Sequence, residues 1–315
     1  MRAGLSGLGL SPTSEPSTGQ AAAGSARPGW LVARVLLWYE AHARPLPWRA
    51  PGTEPWGVLV SEVMLQQTPV ARVVPAYLAW LARWPGPVEL AAEPAGEAIR
   101  QWGRLGYPRR AVRLHAAARI LTTRHDAAVP ADLGALLALP GVGTYTARAV
   151  ASFAFGQRHA VVDTNVRRVL ARVFRGVATA PVSRVADDLR LAATLLPEQP
   201  DLASRFSVGL MELGALVCTA RSPRCTRCPL LDGCRWAASG RPASGGRRGH
   251  GQPYAGTDRQ ARGELLAALR SAPDPVEEAA LRARWPDAAQ AERALASMVA
   301  DGLTVRHPAG RVGLP

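Results

Sequence analysis

From Trp30 to about Trp236, apolar residues recur at the three- and four-residue spacing of helices, interrupted only by short Gly/Pro joints. The run WLVARVLLWYEAHA is helical by this pattern, and the four prolines of RPLPWRAPGTEP end it. A second helix follows in WGVLVSEVMLQQT, stopped by Pro69, and a third in VARVVPAYLAWLARW, stopped by Pro85. Further helical segments are predicted near 88–101, 108–124, 132–138, 144–155, 163–174, 183–196 and 201–217. Nothing here alternates with a period of two for long, so no sheet is expected in this region. Residues 237–253, AASGRPASGGRRGHGQP, have the composition of a linker. Beyond them, TDRQARGELLAALRSA and AAQAERALASMVADGL read as helices, and TVRHPAGRVGLP as a short hairpin with a Pro-Ala-Gly turn. That order suggests a small winged-helix-like module over 254–315, with a plain helical cap as the alternative. Residues 1–28 are rich in Gly, Ser, Ala and Pro and lack the apolar stretch of a signal peptide, so a disordered lead-in is expected.

Composition narrows the partner. A chain of 315 residues holds two compact domains and a tail. Its 38 basic residues against 24 acidic ones give a formal charge of +14, which favours a polyanion such as nucleic acid over a merely basic surface. All of the basic residues are arginine. A GC-rich genome accounts for that preference, but its chemical consequence stands: no side-chain amine exists to form a Schiff base. No run of about 18 apolar residues marks a membrane span. The four cysteines all lie between Cys218 and Cys234, which points to a reducing compartment and one metal site rather than to scattered disulfides.

Three motifs carry chemistry. CTARSPRCTRCPLLDGC spaces its cysteines C-x6-C-x2-C-x5-C, with one CxxC where structural zinc sites usually have two. Four thiolates so arranged suit a larger cubane better than a single ion, with zinc as the other possibility. In ALPGVGTYTARAVASFAFG, Gly141 and Gly143 form a turn that opens into a helix, the build of an anion-binding loop. Many helices begin this way for structural reasons alone. Asp163, where AVV meets the helix of TNVRRVLARV, is a natural N-cap. Glu62 lies among Val60, Val63, Met64 and Leu65, where burial would raise its pKa, unless it faces outward.

Taken together, the cysteine spacing downstream of LPGVGTYTA and VVDTNVRRVL resembles the helix-hairpin-helix, iron–sulfur DNA glycosylases, whose spacing it matches residue for residue. The resemblance implies an all-α, two-lobed fold. A six-helix barrel lobe with the helix-hairpin-helix would span 55–160, and a cluster lobe 29–54 and 161–236. It implies one 4Fe–4S cluster on Cys218, Cys225, Cys228 and Cys234, and a DNA phosphate held by the backbone at Gly141 and Gly143. Strand-cutting members, similar to endonuclease III, carry a lysine where Tyr145 stands, so a lysine-dependent lyase is excluded here and a monofunctional glycosylase is implied.

VSEVMLQQTPV, with RPLPWR upstream and LGYPRRAVRLHAAA downstream, resembles the adenine DNA glycosylase (MutY) family across residues 30–236. This resemblance implies excision of adenine mispaired with 8-oxoguanine or guanine in double-stranded DNA. Glu62 would be the general acid on adenine N7, and Asp163 would stabilise the oxocarbenium-like sugar. Tyr145 would hold the sugar near Asp163, and Asn165 would orient the water or Glu62. Arg44, Leu46, Trp48 and Arg49 would line the adenine pocket, with Arg44 and Glu212 reading the base edges. Gln66, Gln67, Thr68, Leu105 and Tyr107 would contact DNA, the last four wedging in beside the opposite base. The implied protein is a cytoplasmic, nucleoid-associated monomer without membrane attachment. Rival readings are another monofunctional mismatch glycosylase, acting on thymine or uracil, and a non-catalytic DNA-binding iron–sulfur protein.

The chain departs from the family pattern in three places. Pro108 replaces the second tyrosine of GYY; Thr164 and Arg167 replace a Gly and a Lys common in DTNVRRV. A tail of about 60 residues, read as helical with a wing, stands where relatives carry a Nudix-like domain that verifies 8-oxoguanine. Weaker discrimination between 8-oxoguanine and guanine than in such relatives is therefore expected.

Overall fold

The computed structural model describes residues 28–243 and 254–315. The lead-in expected over 1–28 and the linker expected over 237–253 therefore fall, except for residues 28 and 237–243, outside the described residues. Helices dominate. The first, α1 (Pro28–His42), is followed by α2 (Pro55–Leu65), α3 (Val70–Arg83), α4 (Pro87–Ala92), α5 (Ala95–Trp102), α6 (Arg109–Arg124), α7 (Leu133–Leu137) and α8 (Thr144–Phe155). Then come α9 (Thr164–Arg175), α10 (Val185–Leu195), α11 (Pro200–Leu216) and the short α12 (Arg235–Ala238). No helix among the described residues is long and apolar enough to cross a membrane.

Two cores organise these helices. One joins α2 through α8 around Leu59, Met64, Trp80, Leu114 and Val150, where the ring of Trp80 meets Trp84 and Trp102 edge-on at 4.7 and 5.6 Å. Leu46 and Trp48, from the segment after α1, belong to this core too. The other joins α1, α9, α10 and α11 around Leu31, Leu170, Phe206 and Leu213, with the cysteine segment packed on it. Helix α2 is buried on every side from Trp56 to Met64, which is why its sequence is apolar all round. The helix expected over 88–101 is instead two: Pro94 pushes Glu93 to φ −86°, ψ 155°, ending α4, and α5 starts afresh. QQT leaves α2 rather than extending it, and Gln67 takes a positive φ of 56°.

A third core belongs to the C-terminal residues. Helices α13 (Asp258–Ser271), α14 (Glu278–Arg282) and α15 (Ala288–Ala300) pack Leu265, Leu295 and Met298 beneath a small antiparallel sheet. Its strands β1 (Val276–Glu277), β2 (Val305–His307) and β3 (Arg311–Gly313) run in the order β1-β3-β2, with Val312 opposite both Val276 and Arg306. The helices and hairpin follow the sequence reading; β1 and α14 were not foreseen, being too short to show a period. Ile99 of α5 is fully buried in this core, which ties the module to the first lobe.

Candidate active site

A cleft of about 980 Å³ opens where the two large cores meet, at the top of the size range of ligand sites. Its walls bring together Arg44, Leu46, Trp48, Arg49, Glu62, Gln66, Gln67, Thr68, Tyr145, Asp163, Asn165 and Glu212, which are separated by as much as the length of both lobes in sequence. Leu105 and Tyr107 lie on the adjoining loop, and Gly141 and Gly143 on the turn before α8.

Glu62 faces the cleft from the last turns of α2, 5% exposed, with no hydrogen-bond partner on Oε2. Burial pushes its carboxyl up to about 7; the Tyr145 hydroxyl and the Arg49 charge oppose the shift, and Asp163 adds to it. Burial likewise holds the Tyr145 phenol well above its ordinary value, helped by the two nearby carboxylates, so Tyr145 stays a neutral donor. Asp163 is the N-cap of α9: Oδ1 accepts from Val166 N at 2.7 Å and Oδ2 from Asn165 Nδ2 at 2.6 Å. Burial raises its pKa, against the pull of those donors and of Arg168. Asn165 is oriented from its other side, its Oδ1 accepting from Arg168 Nη2 at 2.7 Å. Arg168 in turn donates to the carbonyls of Gly214 and Cys218 at 2.7 and 2.6 Å.

At the opposite wall Glu212, 1% exposed, is gripped by both arginines of RPLPWR. Its Oε2 accepts from Arg44 Nη2 at 2.9 Å and Arg49 Nη1 at 3.0 Å, and its Oε1 from Arg44 Nε and the Arg44 amide. Burial pushes this carboxyl up, but the Arg44 hydrogen bonds and the Arg49 and Arg44 charges outweigh it and hold the pKa below the usual range. With four donors on its two oxygens, Glu212 has little left for a ligand; the free donors belong to the arginines.

Two turns flank the cleft. Gly141 has φ +82°, and a Cβ there would lie 2.9 Å from Arg113 Cβ, so only glycine fits. At Gly143, the N-cap of α8, a Cβ would meet nothing within 4 Å, and the first amides of a helix, which have no intrahelical acceptor, are the donors an anion takes. The loops carrying Gln66–Thr68 and Leu105–Tyr107 are clasped by a residue the sequence reading passed over. Arg110 Nη1 donates to the carbonyls of Val63, Met64 and Gln66 at 2.9, 2.8 and 2.7 Å. Its Nη2 donates to Thr68 Oγ1 at 2.8 Å and the Gly106 carbonyl at 2.9 Å. A guanidinium on the last carbonyls of α2 is a C-cap by charge as well as by geometry.

The four cysteines line a single cavity with Val169, Val173 and Leu230. Burial, then repulsion among the sulfurs, pushes Cys228 up to about 12, so four bare thiolates are disfavoured there. Arg172 donates to Cys218 Sγ at 3.2 Å and stacks on Trp236 at 4.3 Å. Among the described residues no set of His, Cys, Asp or Glu is arranged to hold a metal ion by itself. An all-thiolate set, spread around an apolar cavity and needing cationic charge, fits an iron–sulfur cluster.

Residues 60–192 match the family of HhH-GPD superfamily base excision DNA repair proteins, and residues 218–234 match the iron-sulfur binding domain of endonuclease III. The chain is 52% identical over 282 residues to the adenine DNA glycosylase of Mycobacterium tuberculosis, a match that covers 89% of this chain and 92% of the relative. Among solved structures it is similar to a thermostable thymine-DNA glycosylase, with TM-score 0.62 and 29% identity over 67% of this chain and 97% of that one. A non-covalent endonuclease III–DNA complex follows, with TM-score 0.57 and 26% identity over 67% of this chain and 95% of the other.

Proposed function

The chain belongs to the adenine DNA glycosylases, and from that membership we propose that it excises adenine mispaired with 8-oxoguanine or guanine and leaves the strand whole. The observation that carries this reading is the buried Glu62, its Oε2 unpartnered, sharing one cleft with Asp163 and Tyr145 in a chain without lysine.

DNA is the partner. The adenosine must first leave the stack, because neither N7 nor the glycosidic bond is reachable inside a duplex. The amides at the start of α8 and the charge of the surrounding arginines hold the backbone, while Gln66, Gln67, Thr68, Leu105 and Tyr107 occupy the gap beside the opposite base. Leu46 and Trp48 form the apolar wall of the pocket. Arg44 and Arg49, aligned by Glu212, offer donors to the base.

Glu62 carries its proton near neutral pH because burial penalises the charged form more than the Tyr145 hydroxyl and the Arg49 charge favour it, and its Oε2 has no partner. It delivers that proton to N7, which turns adenine into a better leaving group. Asp163, with donors on both oxygens, favours its charged form by comparison and faces the positive charge that grows on the sugar. Tyr145 donates to Glu62 and lies near Asp163, and Asn165 keeps the Asp163 carboxylate aimed while water attacks. Cys218, Cys225, Cys228 and Cys234 would hold the 4Fe–4S cluster, which would cross-link residues 218–234. Arg168 donates to the Cys218 carbonyl, at the edge of that segment, and to Asn165. The protein acts as a monomer on DNA in the cytoplasm.

Duplexes bearing A opposite 8-oxoguanine, A opposite G and T opposite G, incubated with the protein and then treated with alkali, test the reading. Adenine release from the first two, with nicks only after alkali, is expected. Thymine release, or no base release at all, would overturn it.

A further inference from the structure

The C-terminal module is anchored on both sides of the loop that carries Tyr107. On the α5 side, Gly96 N donates to the Pro315 carbonyl at 2.5 Å, and a Cβ at Gly96 would lie 2.7 Å from that oxygen. Arg100 donates to the Arg270 carbonyl at 2.6 Å, and Arg270 Nε returns a bond to the Ile99 carbonyl at 3.0 Å. On the α6 side, Arg109 pairs with Asp301 at 3.2 Å. The loop 103–108 is the connection between these two anchored helices. Its position is therefore set by the module as well as by the first lobe.

From this platform Arg259, in the first turn of α13, reaches back to the loop. Its guanidinium carbon lies 5.6 Å from the Tyr107 ring centroid and 5.8 Å from that of Tyr254. Its neighbour Asp258 is committed elsewhere, to Gln290 at 2.8 Å and Arg293 at 3.3 Å. Tyr107 is 46% exposed and stands on a backbone with φ +48°, a conformation that costs energy for a non-glycine residue. Arg110 approaches the same ring, at 5.5 Å. Left alone, an exposed tyrosine samples several rotamers and must be ordered each time it enters DNA. A guanidinium over an aromatic ring is attracted by its quadrupole and restricts that sampling before DNA arrives.

We propose that Arg259 is a positioning residue for Tyr107, so that the C-terminal module takes part in discriminating the base opposite the excised adenine. The proposal rests on the reading of Tyr107 as a wedge residue given above.

The test is a double-mutant cycle on the full-length, cluster-loaded protein. Single-turnover rates of adenine release are measured on 8-oxoguanine:A and G:A duplexes, and their ratio is the readout. Arg259→Ala is expected to lower that ratio about two- to five-fold, the range an exposed cation–π contact commands. Arg259→Lys, which keeps a cation over the ring, should recover part of the loss. Tyr107→Ala should lower the ratio at least as far, and the double variant no further, because the two residues act as one unit. Arg284→Ala, an exposed arginine of the same module with no contact to either tyrosine ring, should leave the ratio unchanged. An unchanged ratio in Arg259→Ala, or effects of Arg259→Ala and Tyr107→Ala that multiply, overturns the proposal. If Arg259→Ala does not fold, Arg259→Gln reads the same contact with the stem retained. Absence of adenine release by the wild-type protein from either duplex defeats the functional reading itself, and this proposal with it.

Discussion

Asp163 and Asn165 are joined by a hydrogen bond of 2.6 Å, and Arg168 fixes the amide from its other face. The carboxylate is thereby held by a side chain that cannot turn over without losing two bonds. It also caps α9, so its structural and chemical duties can be separated by substitution.

Asparagine caps helices about as well as aspartate but carries no charge. Asp163→Asn should therefore keep its melting behaviour, losing less than ~1 kcal/mol of stability. Adenine release should fall by at least ~10²–10³-fold, the scale of a lost electrostatic group at a reacting centre. Thermal melts alongside single-turnover assays check both halves.

Glu62 makes a second, opposite prediction about stability. Its pKa rises from an ordinary 4.5 to about 7 on folding, so the native state binds a proton more tightly than the unfolded one. The sign follows: stability is complete below the unfolded value and is lost as pH rises toward about 7. Glu62→Gln removes that loss. The variant should match the wild type in acid and melt higher in mild alkali, by an amount on the order of 3 kcal/mol. Melting temperatures at the two pH values decide it.

Arg110 holds two loops through five hydrogen bonds, sharing the Gln66 and Gly106 carbonyls with Thr68 Oγ1 and Trp102 Nε1 and reaching the Val63 and Met64 carbonyls besides. Arg110→Ala should destabilise the fold by about 3 kcal/mol or more, as buried carbonyls are left unpaired. Lysine should not restore the wild-type melt, because one ammonium cannot span two loops. Urea titration of the three proteins is the check.

Cys228→Ser removes one of the four thiolates of the iron–sulfur binding domain. Loss of most bound iron and acid-labile sulfide is expected, together with proteolytic cleavage between residues 218 and 234 that the intact protein resists. Metal analysis and limited proteolysis measure the two effects independently of activity.

Much of this architecture was legible because helices announce themselves through period. The large helices follow the apolar spacing; Pro94 splits one expected helix by restricting Glu93, QQT falls outside α2, and β1 and α14 are too short to show a period. Motif residues were legible as well. The cysteines stand out by their spacing, whereas Glu62, Tyr145 and Asp163, which read alone as a helical Glu, a helix residue and an N-cap, are singled out only through the family resemblance. Arginines did not stand out. In a chain with 38 of them, Arg110, Arg168 and Arg259 look like solvated surface, and only the fold shows which are structural or poised at the site. The docking of the C-terminal module was equally hidden, since it depends on pairs such as Arg270 and Ile99, 171 residues apart.

The most direct test of the central claim is the pH dependence of single-turnover adenine release from 8-oxoguanine:A duplexes, measured for wild type and Glu62→Gln. With Glu62 as the acid, the wild-type rate should fall as pH rises through about 7, while the glutamine variant binds DNA but loses adenine release at every pH. A wild-type rate that stays flat across that range, or a glutamine variant with near wild-type release, would contradict it.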